Sequence, residues 1–414
     1  MRRVVITGLG AVTPVGNDVP TMWRALLAGQ SGISSITRFD ASDFPIRIAG
    51  EVKDFQLDSQ VDVREARRAS LYTRYALNAV TEAVRAARLD MAQENPELVG
   101  VVYGSGSGGL DLVFENHDTL RSKGVRRVAP TMIANMIPDA ASGQIAIMLN
   151  AQGPNMAITA ACSTGGHNVG EAWEVIRRGD ADVVITGGAE APIHPTVMAS
   201  FSTMRGLAGD NEQPHRACKP FDAQRDGFVL AEGAGALVLE ALEHALARNA
   251  PIIAELVGYG NTNDARDMVA ADEQGAGAAR AMKIALRKAG LAPEAVQYIN
   301  AHGTGTPLND SSETRAIKTV FGSHAQHLLV SSTKSMLGHM MGAAGAVEAI
   351  ICALAVRDGR VPPTINYDQP DPTCDLDYVP NTARQAHITA ALSNSIGLGG
   401  HNSALVLRRY QSPN

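Results

Sequence analysis

The sequence predicts an α/β fold that is built from two similar halves. The chain of 414 residues alternates short runs of strand-forming residues with Ala-rich segments of helical periodicity. Such alternation is typical of layered α/β proteins rather than all-helical or all-β proteins. The chain is also longer than most single domains, so we expect two cores or one duplicated core. The same order of motifs recurs in the second half of the chain.

Short β-branched runs predict the strands, and apolar residues at helical spacing predict the helices between them. The helical spacing is clearest in YTRYALNAVTEAVRAARL and GAARAMKIALRKAGL. The predicted strands of the first half are RRVVITGLGAV, LVGVVYGSG, MAITAAC, ADVVITGGAE and GAGALVLEAL. Those of the second half are PIIAELVGYG, VQYINAHG, HLLVSSTK, AALSNSIGLGG and NSALVLRR.

Three pairs of segments indicate the internal duplication. GVVYGSGSGGL parallels YINAHGTGTPL, because in each a strand leads into a loop of alternating glycines. AACSTGGHNVGEAWEVI parallels SSTKSMLGHMMGAAGAVEAII, and the closing strands share ALVL. Pro251 follows the end of a predicted helix, so we place the boundary near residue 250. The two predicted units are residues 1–250 and residues 251–414.

Composition and charge argue against several classes of function. The net charge of −6 gives no reason to expect a nucleic-acid partner. No window approaches the roughly 20 apolar residues of a membrane span. The start, MRRVVITGLGAVTPVG, is interpreted as a strand rather than a signal peptide, because glycines interrupt it and no cleavage site follows. The four cysteines form no C-x-x-C pair, and no histidine cluster at metal-ligand spacing accompanies them, which favours free thiols in the cytoplasm.

Cys162 stands where a predicted strand ends and a helix begins, in the small-residue stretch AACSTGG. Free N–H groups at a helix start favour a thiolate, so we expect the pKa of this thiol to be lowered. The same N–H groups can hold an oxyanion once the sulfur is acylated. The alternative is a buried cysteine that packs as a small apolar residue.

Two histidines occupy repeat-equivalent turns and are candidate partners of Cys162. His302 lies in NAHGTGTP, which mirrors the first glycine loop, and His339 lies in the turn that mirrors the cysteine turn. If the halves pack about a pseudo-twofold axis, these loops converge on one site. Taken singly, each histidine is better read as a surface or satisfied core residue, but the repeat-equivalent positions of the two favour a functional role. Further candidates are Lys334, as a buried amine rather than a surface lysine, and Thr304 and Thr306, whose alternating hydroxyls can face one ligand.

One glycine-rich pattern matches a known motif but lacks its context, and a second known motif is absent. GSGSGG at residues 104–109 follows a strand, as a dinucleotide-binding loop does. The segment after it has no second strand that ends in an acidic residue for a ribose hydroxyl, which argues against a nucleotide. The G-x-S-x-G pattern of α/β-hydrolases is absent around these serines.

The motifs AACSTGG, NAHGTGTPLND and KSMLGHMMGAAGAVE together resemble the β-ketoacyl-acyl-carrier-protein synthases, specifically the elongating type close to synthase II. VVITGLGAVTPVG and PFDAQRDGFVLAEGAGALVLE extend the resemblance over essentially the whole chain. It implies a thiolase fold of two duplicated halves in five α-β-α-β-α layers, an acyltransferase of fatty acid elongation, and a homodimer.

The resemblance also implies a decarboxylating Claisen condensation. Cys162 would accept the acyl chain, and His302 and His339 would stabilise the enolate of malonyl-carrier protein. The N–H groups of Cys162 and Leu398 would form the oxyanion hole. The supporting side chains implied are Lys334, which would orient His339, Glu348 near it, and Thr304 and Thr306, which would bind the pantetheine arm.

The same resemblance suggests partners and an ion. No organic cofactor is implied, since phosphopantetheine travels on the acyl carrier protein. The residues matching a monovalent-cation site in some relatives are Asn300, Glu348, Ser393 and Asn394. The residues matching a basic landing site for the acidic carrier protein are Arg64, Arg67, Arg68, Lys123, Arg126 and Arg127. The alternative is a solvated helix or loop face, which is the better reading for any single arginine taken alone.

Three positions depart from the family pattern. Relatives carry NSFGFGG, with the second Phe as a gate over the cysteine, where this chain has Ile396 and Leu398. Ser107 stands where a bulkier aliphatic residue narrows the acyl pocket. These changes leave a specialised polyketide or polyene synthase as an alternative. A non-catalytic chain-length subunit is a further alternative, although it would lack the nucleophile that Cys162 supplies. A degradative thiolase would need a second reactive cysteine, which SIGLGGHN lacks.

Overall fold

The computed structural model describes residues 1–412, and strands and helices alternate along it. The strands are β1 Val4–Val12, β2 Ser34–Ser35, β3 Ile48–Ala49, β4 Val99–Gly104, β5 Asn155–Met156, β6 Val183–Glu190, β7 Gly233–Ala241, β8 Ala254–Asn263, β9 Tyr298–Asn300, β10 Leu329–Ser331, β11 Arg360–Val361, β12 Arg384–Gln385, β13 Ala390–Gly397 and β14 His401–Arg408. The α-helices are α1 Val19–Leu27, α2 Val63–Ala66, α3 Leu71–Ala86, α4 Leu110–Lys123, α5 Met132–Met136, α6 Ala140–Leu149, α7 Thr164–Arg178, α8 Pro195–Thr203, α9 Leu242–Ala247, α10 Ala276–Ala289, α11 Pro307–Phe321, α12 Lys334–Leu337 and α13 Ala344–Asp358.

The strand order confirms the duplication predicted from the sequence. Ten strands are hydrogen-bonded in the order β10-β9-β13-β14-β8-β1-β7-β6-β4-β5. The halves meet where β1 pairs with β8 over three residues, Val4 to Ile6. Outward from that joint, β1-β7-β6-β4-β5 and β8-β14-β13-β9-β10 repeat one topology, with two antiparallel pairings followed by two parallel ones.

The helices and sheets form the five α-β-α-β-α layers implied by the resemblance. The helices α7 and α13 lie in the middle and contact both halves of the sheet, and α13 is buried on every side from Ala344 to Val356. On the outer faces, α3 and α6 cover the first half and α10 and α11 cover the second. The apolar all-round composition of α13 follows from this central position.

Paired glycines let a helix approach the first strand of each half closely. A Cβ on Gly10 of β1 would lie 1.8 Å from the carbonyl oxygen of Ala79 in α3. A Cβ on Gly260 of β8 would lie 1.9 Å from that of Ala281 in α10. No side chain fits either distance, so the repeated G-x-G of these strands is a packing requirement.

One predicted strand is largely wrong. Of MAITAAC, residues 156–162, only Met156 lies in a strand, the two-residue β5, and the rest runs as irregular chain up to the turn at Cys162. The reason is that side chains of α7 take its backbone hydrogen bonds: Ile158 N–H donates to Asn168 Oδ1 at 3.0 Å, and Ala160 N–H to Thr164 Oγ1 at 2.9 Å. Bonds to side chains replace the sheet partners at this point.

No helix within residues 1–412 is both long and apolar enough to cross a membrane.

The boundary near residue 250 stays a prediction, since the two halves share one sheet.

Candidate active site

Cys162 lies in a tight 3₁₀ turn, Ala161–Ser163, directly before α7. Its side chain is 6% exposed, and the preceding Ala161 has a φ of 48°, in the left-handed region that residues with a Cβ seldom adopt. The backbone N–H groups of Cys162 and Leu398 both donate toward the sulfur. Two N–H groups placed in this way can hold the oxygen of an acyl group on the sulfur.

The pKa of the Cys162 thiol differs from the value expected from the sequence. Burial raises the pKa of its thiol to about 11, although the Leu398 N–H and the charge of Lys334 favour the thiolate. The prediction that the helix start lowers this pKa is therefore wrong. Loss of hydration at a nearly closed site outweighs the partial charges of the N–H groups.

His302 and His339 come together beside Cys162, as the mirrored turns predict. Their rings meet edge to face with centroids 5.3 Å apart, and all three side chains line one cavity. Burial, and then the charge of Lys334, hold the pKa of each histidine well below its ordinary value. Both rings are therefore neutral near pH 7, and each offers one N–H donor.

Lys334 is a buried amine, as predicted, but it contacts a different histidine. It is 2% exposed, forms an ion pair with Glu348, and places Nζ 3.5 Å from Nδ1 of His302. The implied electrostatic orientation of His339 by Lys334 stays a prediction: the charge of Lys334 lowers the pKa of His339, and neither ring nitrogen of His339 has a hydrogen-bond partner among residues 1–412. An ammonium can only donate, so Nδ1 of His302 accepts and the proton of the ring sits on Nε2.

The cavity around Cys162 has a volume of about 260 Å³. Thr304 and Thr306 line it, and their hydroxyls are 2.9 Å apart. Ile396 and Leu398, the residues that replace the family's phenylalanines, lie on the same wall. The cavity therefore holds the nucleophile, two neutral donors and a pair of hydroxyls.

A second cavity of about 350 Å³ adjoins the first and contains Ser107. Three residues line both cavities, namely Phe201, Met341 and Leu398. They form the partition between the two spaces. Leu398 thus stands where a gate over the cysteine would stand.

The predicted docking residues lie outside both cavities, on the surface. Each is exposed, and of the six only Arg68 forms an ion pair with a described residue, Glu65 at 3.4 Å. The residues concerned are Arg64, Arg67 and Arg68 at the end of α2 and Lys123, Arg126 and Arg127 at the end of α4. The two segments touch at the start of α4, where Asp111 accepts from Leu71 N–H at 2.9 Å, and Lys123, Arg126 and Arg127 lie at and beyond its other end.

The residues matched to a cation site converge behind the histidines. Asn300 of β9 is the register partner of Ser393 of β13, and Glu348 of α13 pairs with Lys334 beside them. Within residues 1–412, Asn300 Oδ1, Ser393 Oγ and Glu348 Oε2 are buried without a hydrogen-bond partner. Three orphaned oxygens fit a hard monovalent cation. The Asn394 amide instead donates to Glu313 at 3.1 Å.

Some site residues were missed by sequence reasoning. Glu313 accepts from the backbone N–H groups of His302 and Gly303, each at 2.8 Å, and burial raises its pKa to about 7. One of two acids in the polar stretch NDSSETR, it resembles a residue of a solvated helix face, and no signal in the sequence identifies it. Met341 could have been found from the internal repeat, because the repeat aligns it with Ala161, the residue before Cys162. Like Ala161, Met341 has a strained positive φ, at 45°.

A cysteine beside two neutral imidazoles on a duplicated five-layer fold defines a thiolase-like acyltransferase. The family described as beta-ketoacyl synthase matches both halves, with its N-terminal domain over residues 1–245 and its C-terminal domain over residues 253–368. The chain belongs to the β-ketoacyl synthase family.

Relatives match along nearly the entire chain. It is 50% identical over 411 residues to 3-oxoacyl-[acyl-carrier-protein] synthase 2 of Staphylococcus aureus strain COL, covering 99% of each chain. It is 49% identical over 408 residues to the protein of the same name from Coxiella burnetii, again covering 99% of each. Among solved structures, a type II polyketide ketosynthase bound to its acyl carrier protein and a hexaketide matches with a TM-score of 0.91 and 34% identity, over 99% of this chain and 100% of that one.

Proposed function

We propose that this chain is a 3-oxoacyl-[acyl-carrier-protein] synthase that elongates an acyl chain by condensation with malonyl-carrier protein. The observation that carries the proposal is the single cavity in which Cys162 faces two neutral histidines. The relatives named for this activity are about half identical over the whole length.

In the first half-reaction, the Cys162 sulfur attacks the thioester carbonyl of the acyl-carrier protein. A new C–S bond forms to Cys162, the old one breaks, and the carrier's pantetheine thiol leaves with the proton. The N–H groups of Cys162 and Leu398 hold the oxyanion of the tetrahedral intermediate. Because the thiol is protonated at rest, the proton must leave as the bond forms.

In the second half-reaction, malonyl-carrier protein loses CO2 and becomes an enolate. The N–H groups of His302 and His339 donate to its thioester oxygen, where the negative charge develops. The carbanion attacks the acyl carbon, the C–S bond to Cys162 breaks, and the sulfur regains a proton. Decarboxylation supplies the driving force, so the proposal needs no organic cofactor.

The surrounding side chains orient these groups. Lys334 fixes the tautomer of His302 through Nδ1, and Glu348 compensates the buried charge of Lys334. The hydroxyls of Thr304 and Thr306 are placed to bind the amides of the pantetheine arm. We also propose that a monovalent cation binds Asn300, Ser393 and Glu348, with Asn394 adjoining, where it would complete the charge balance behind the histidines.

The exposed basic residues of α2 and the α4 end are proposed to receive the acidic carrier protein. We expect Arg126→Glu with Arg127→Glu to raise KM for carrier-bound substrates roughly tenfold at low salt and to change kcat little, because docking rather than chemistry is weakened. Steady-state kinetics at two salt concentrations measure this. Lys283→Glu with Arg287→Glu on α10, also exposed, is the matched control. An unchanged KM for the docking variant would argue against this surface.

Leu398 is proposed to act as a gate that is more open than an aromatic ring would be. We expect Leu398→Phe to reduce loading of long or bulky acyl chains more than short ones, with a discrimination of about 1–3 kcal/mol, as for other changes of apolar pocket volume. Leu398→Met is the control of similar volume. Alkylation of Cys162 by a small reagent should stay nearly unchanged, because the substitution keeps the Leu398 backbone N–H that donates toward the sulfur. Equal chain preference in parent and Leu398→Phe would rule out the gate.

A homodimer is part of the proposal. Large apolar side chains are exposed on neighbouring helices, with Ile133 of α5 at 63% and Ile147 of α6 at 82% exposure. They lie on the side of the sheet where β5 is the edge strand. A second copy would cover both the apolar residues and the strand edge. The oligomeric state in solution tests this point.

We place the enzyme in the cytoplasm. All four cysteines are buried and unpaired, which fits a reducing compartment.

A second candidate is a polyketide or polyene synthase with the same mechanism. Leu398 in place of a ring favours it, as does the match to a polyketide ketosynthase. The discriminating experiment supplies acyl-carrier and malonyl-carrier proteins together and identifies the products by mass. Chains extended once, with one CO2 released for each, support fatty acid elongation. Repeated extension without reduction identifies the alternative, and absence of any product contradicts both.

A further inference from the structure

Glu190 is a fully buried carboxylate, at the end of β6, to which the proposed chemistry assigns no role. Its Oε1 accepts from the Ser105 hydroxyl at 2.8 Å, from the Ser107 N–H at 3.1 Å and from the Ser107 hydroxyl. Its Oε2 accepts from Gly106 N–H at 2.8 Å and Gly342 N–H at 3.0 Å. One side chain thus ties the loop after β4 to the turn after His339.

On the side of Gly106 and Gly342, the space next to this carboxylate is filled. A Cβ on Gly106 would lie 2.8 Å from Glu190 Oε2, and a Cβ on Gly342 would lie 2.5 Å from it. The loop and the turn also touch directly, because the same Cβ on Gly342 would lie 2.5 Å from Gly106 N. Two chain segments that approach this closely can hold their positions only while the carboxylate satisfies their N–H groups.

The hydrogen bond from Gly342 to Glu190 holds the backbone next to a strained residue, Met341. Met341 has a φ of 45°, and the peptide that follows it is held by the bond from Gly342 N–H to Glu190. A non-glycine residue persists in this conformation only where its surroundings impose it. Its repeat equivalent, Ala161, is strained in the same way directly before Cys162.

Both residues positioned by Glu190 line the acyl path. Met341 belongs to the partition between the two cavities, and Ser107 lines the cavity beyond it. Glu190 itself lies on the wall of that second cavity. A shift of the loop or of the turn therefore changes the passage from Cys162 to the second cavity.

We infer that Glu190 is a positioning residue that sets the width of the passage between the two cavities and so controls which acyl chains reach Cys162 in a productive arrangement. This inference rests on the proposed function. Short chains end within the first cavity, whereas long chains must cross the partition, so the effect grows with chain length.

Glu190→Gln tests the inference, because glutamine keeps the size but turns one acceptor into a donor. Facing five donors, it leaves at least one backbone N–H unpaired. We expect kcat/KM for loading of a palmitoyl-carrier protein to fall about tenfold more than for a butyryl-carrier protein. Alkylation of Cys162 by iodoacetamide should stay within about threefold of the parent, since a small reagent does not cross the partition.

Glu240→Gln is the matched control. Glu240 of β7 is also fully buried and accepts from His244 at 2.7 Å and Arg248 at 2.8 Å, but it lines neither cavity. Glu240→Gln should lower the melting temperature and leave unchanged the ratio of kcat/KM for palmitoyl loading to kcat/KM for butyryl loading. A purely structural Glu190 would behave in the same way, which would overturn the inference.

Met341→Gly keeps the test decisive if Glu190→Gln does not fold. It relieves the strained φ and removes part of the partition, so the palmitoyl-to-butyryl ratio should rise. An unchanged ratio contradicts the inference. The parent enzyme distinguishes failure of this inference from failure of the proposed function. If the parent loads both chains and the variants keep the same palmitoyl-to-butyryl ratio of kcat/KM, only the role of Glu190 is wrong. If the parent loads neither chain, the proposed function is contradicted as well.

Discussion

Cys162→Ala is expected to abolish acyl transfer and condensation, lowering the rate on the order of 10³-fold or more. No other cysteine can substitute. Cys218, Cys352 and Cys374 are buried away from the cavity, and burial raises the pKa of each thiol. The fold should persist, since removing one sulfur from a wall of the cavity leaves the central helices unchanged.

Condensation assays and circular dichroism of the purified variant measure the two expectations. Cys374→Ala is the matched control, a buried thiol in the outer layer, and should keep the parent rate. Condensation by Cys162→Ala above about 1% of the parent rate would show that the sulfur is not the nucleophile.

His302→Ala and His339→Ala are expected to separate the two half-reactions. Each should still accept an acyl group on Cys162 but lose malonyl decarboxylation by about 10²–10³-fold, because a donor to the developing enolate is gone. Intact mass reports the acyl-enzyme, and release of labelled CO2 reports the second step. The asparagine variants, which restore an N–H donor, should recover part of the rate.

The neutrality of these histidines predicts how the decarboxylation rate depends on pH. Burial and Lys334 hold the pKa of both rings well below the ordinary value, so they stay neutral as the pH falls through that value. The decarboxylation rate of pre-acylated parent enzyme should therefore not change with an apparent pKa near about 6.5. Failure of both alanine variants to form acyl-enzyme would contradict the assigned roles.

The fold and the centre of the site follow from local features of the sequence. Strand and helix periodicities are local, and the duplication is visible because GSGSGG and HGTGT, like ACSTGG and GHMMGAAG, follow equivalent strands. The repeat places Cys162, His302 and His339 at equivalent turns, and this equivalence predicts that the three side chains meet. Leu398 and Ser107 are assigned to the acyl path by their departures from the family pattern, and both line the cavities.

What sequence reasoning missed depends on burial and on long-range contacts. The pKa of Cys162 is raised because the site is nearly closed, which no local pattern records. The Lys334 amine lies 3.5 Å from Nδ1 of His302, a contact between residues 32 positions apart that no local pattern records. Glu190 and Glu313 look like ordinary acids in the sequence, and only the folded chain surrounds each with backbone N–H groups.

The most direct test of the account is the mass of the intact enzyme through one catalytic cycle. Incubation with acyl-carrier protein should add one acyl group per chain, which peptide mapping places on Cys162. Malonyl-carrier protein should then return the enzyme to its original mass, with one CO2 and one 3-oxoacyl-carrier protein formed for each acyl group lost. An acyl group on any other residue, or an adduct that malonyl-carrier protein does not discharge, would contradict the account.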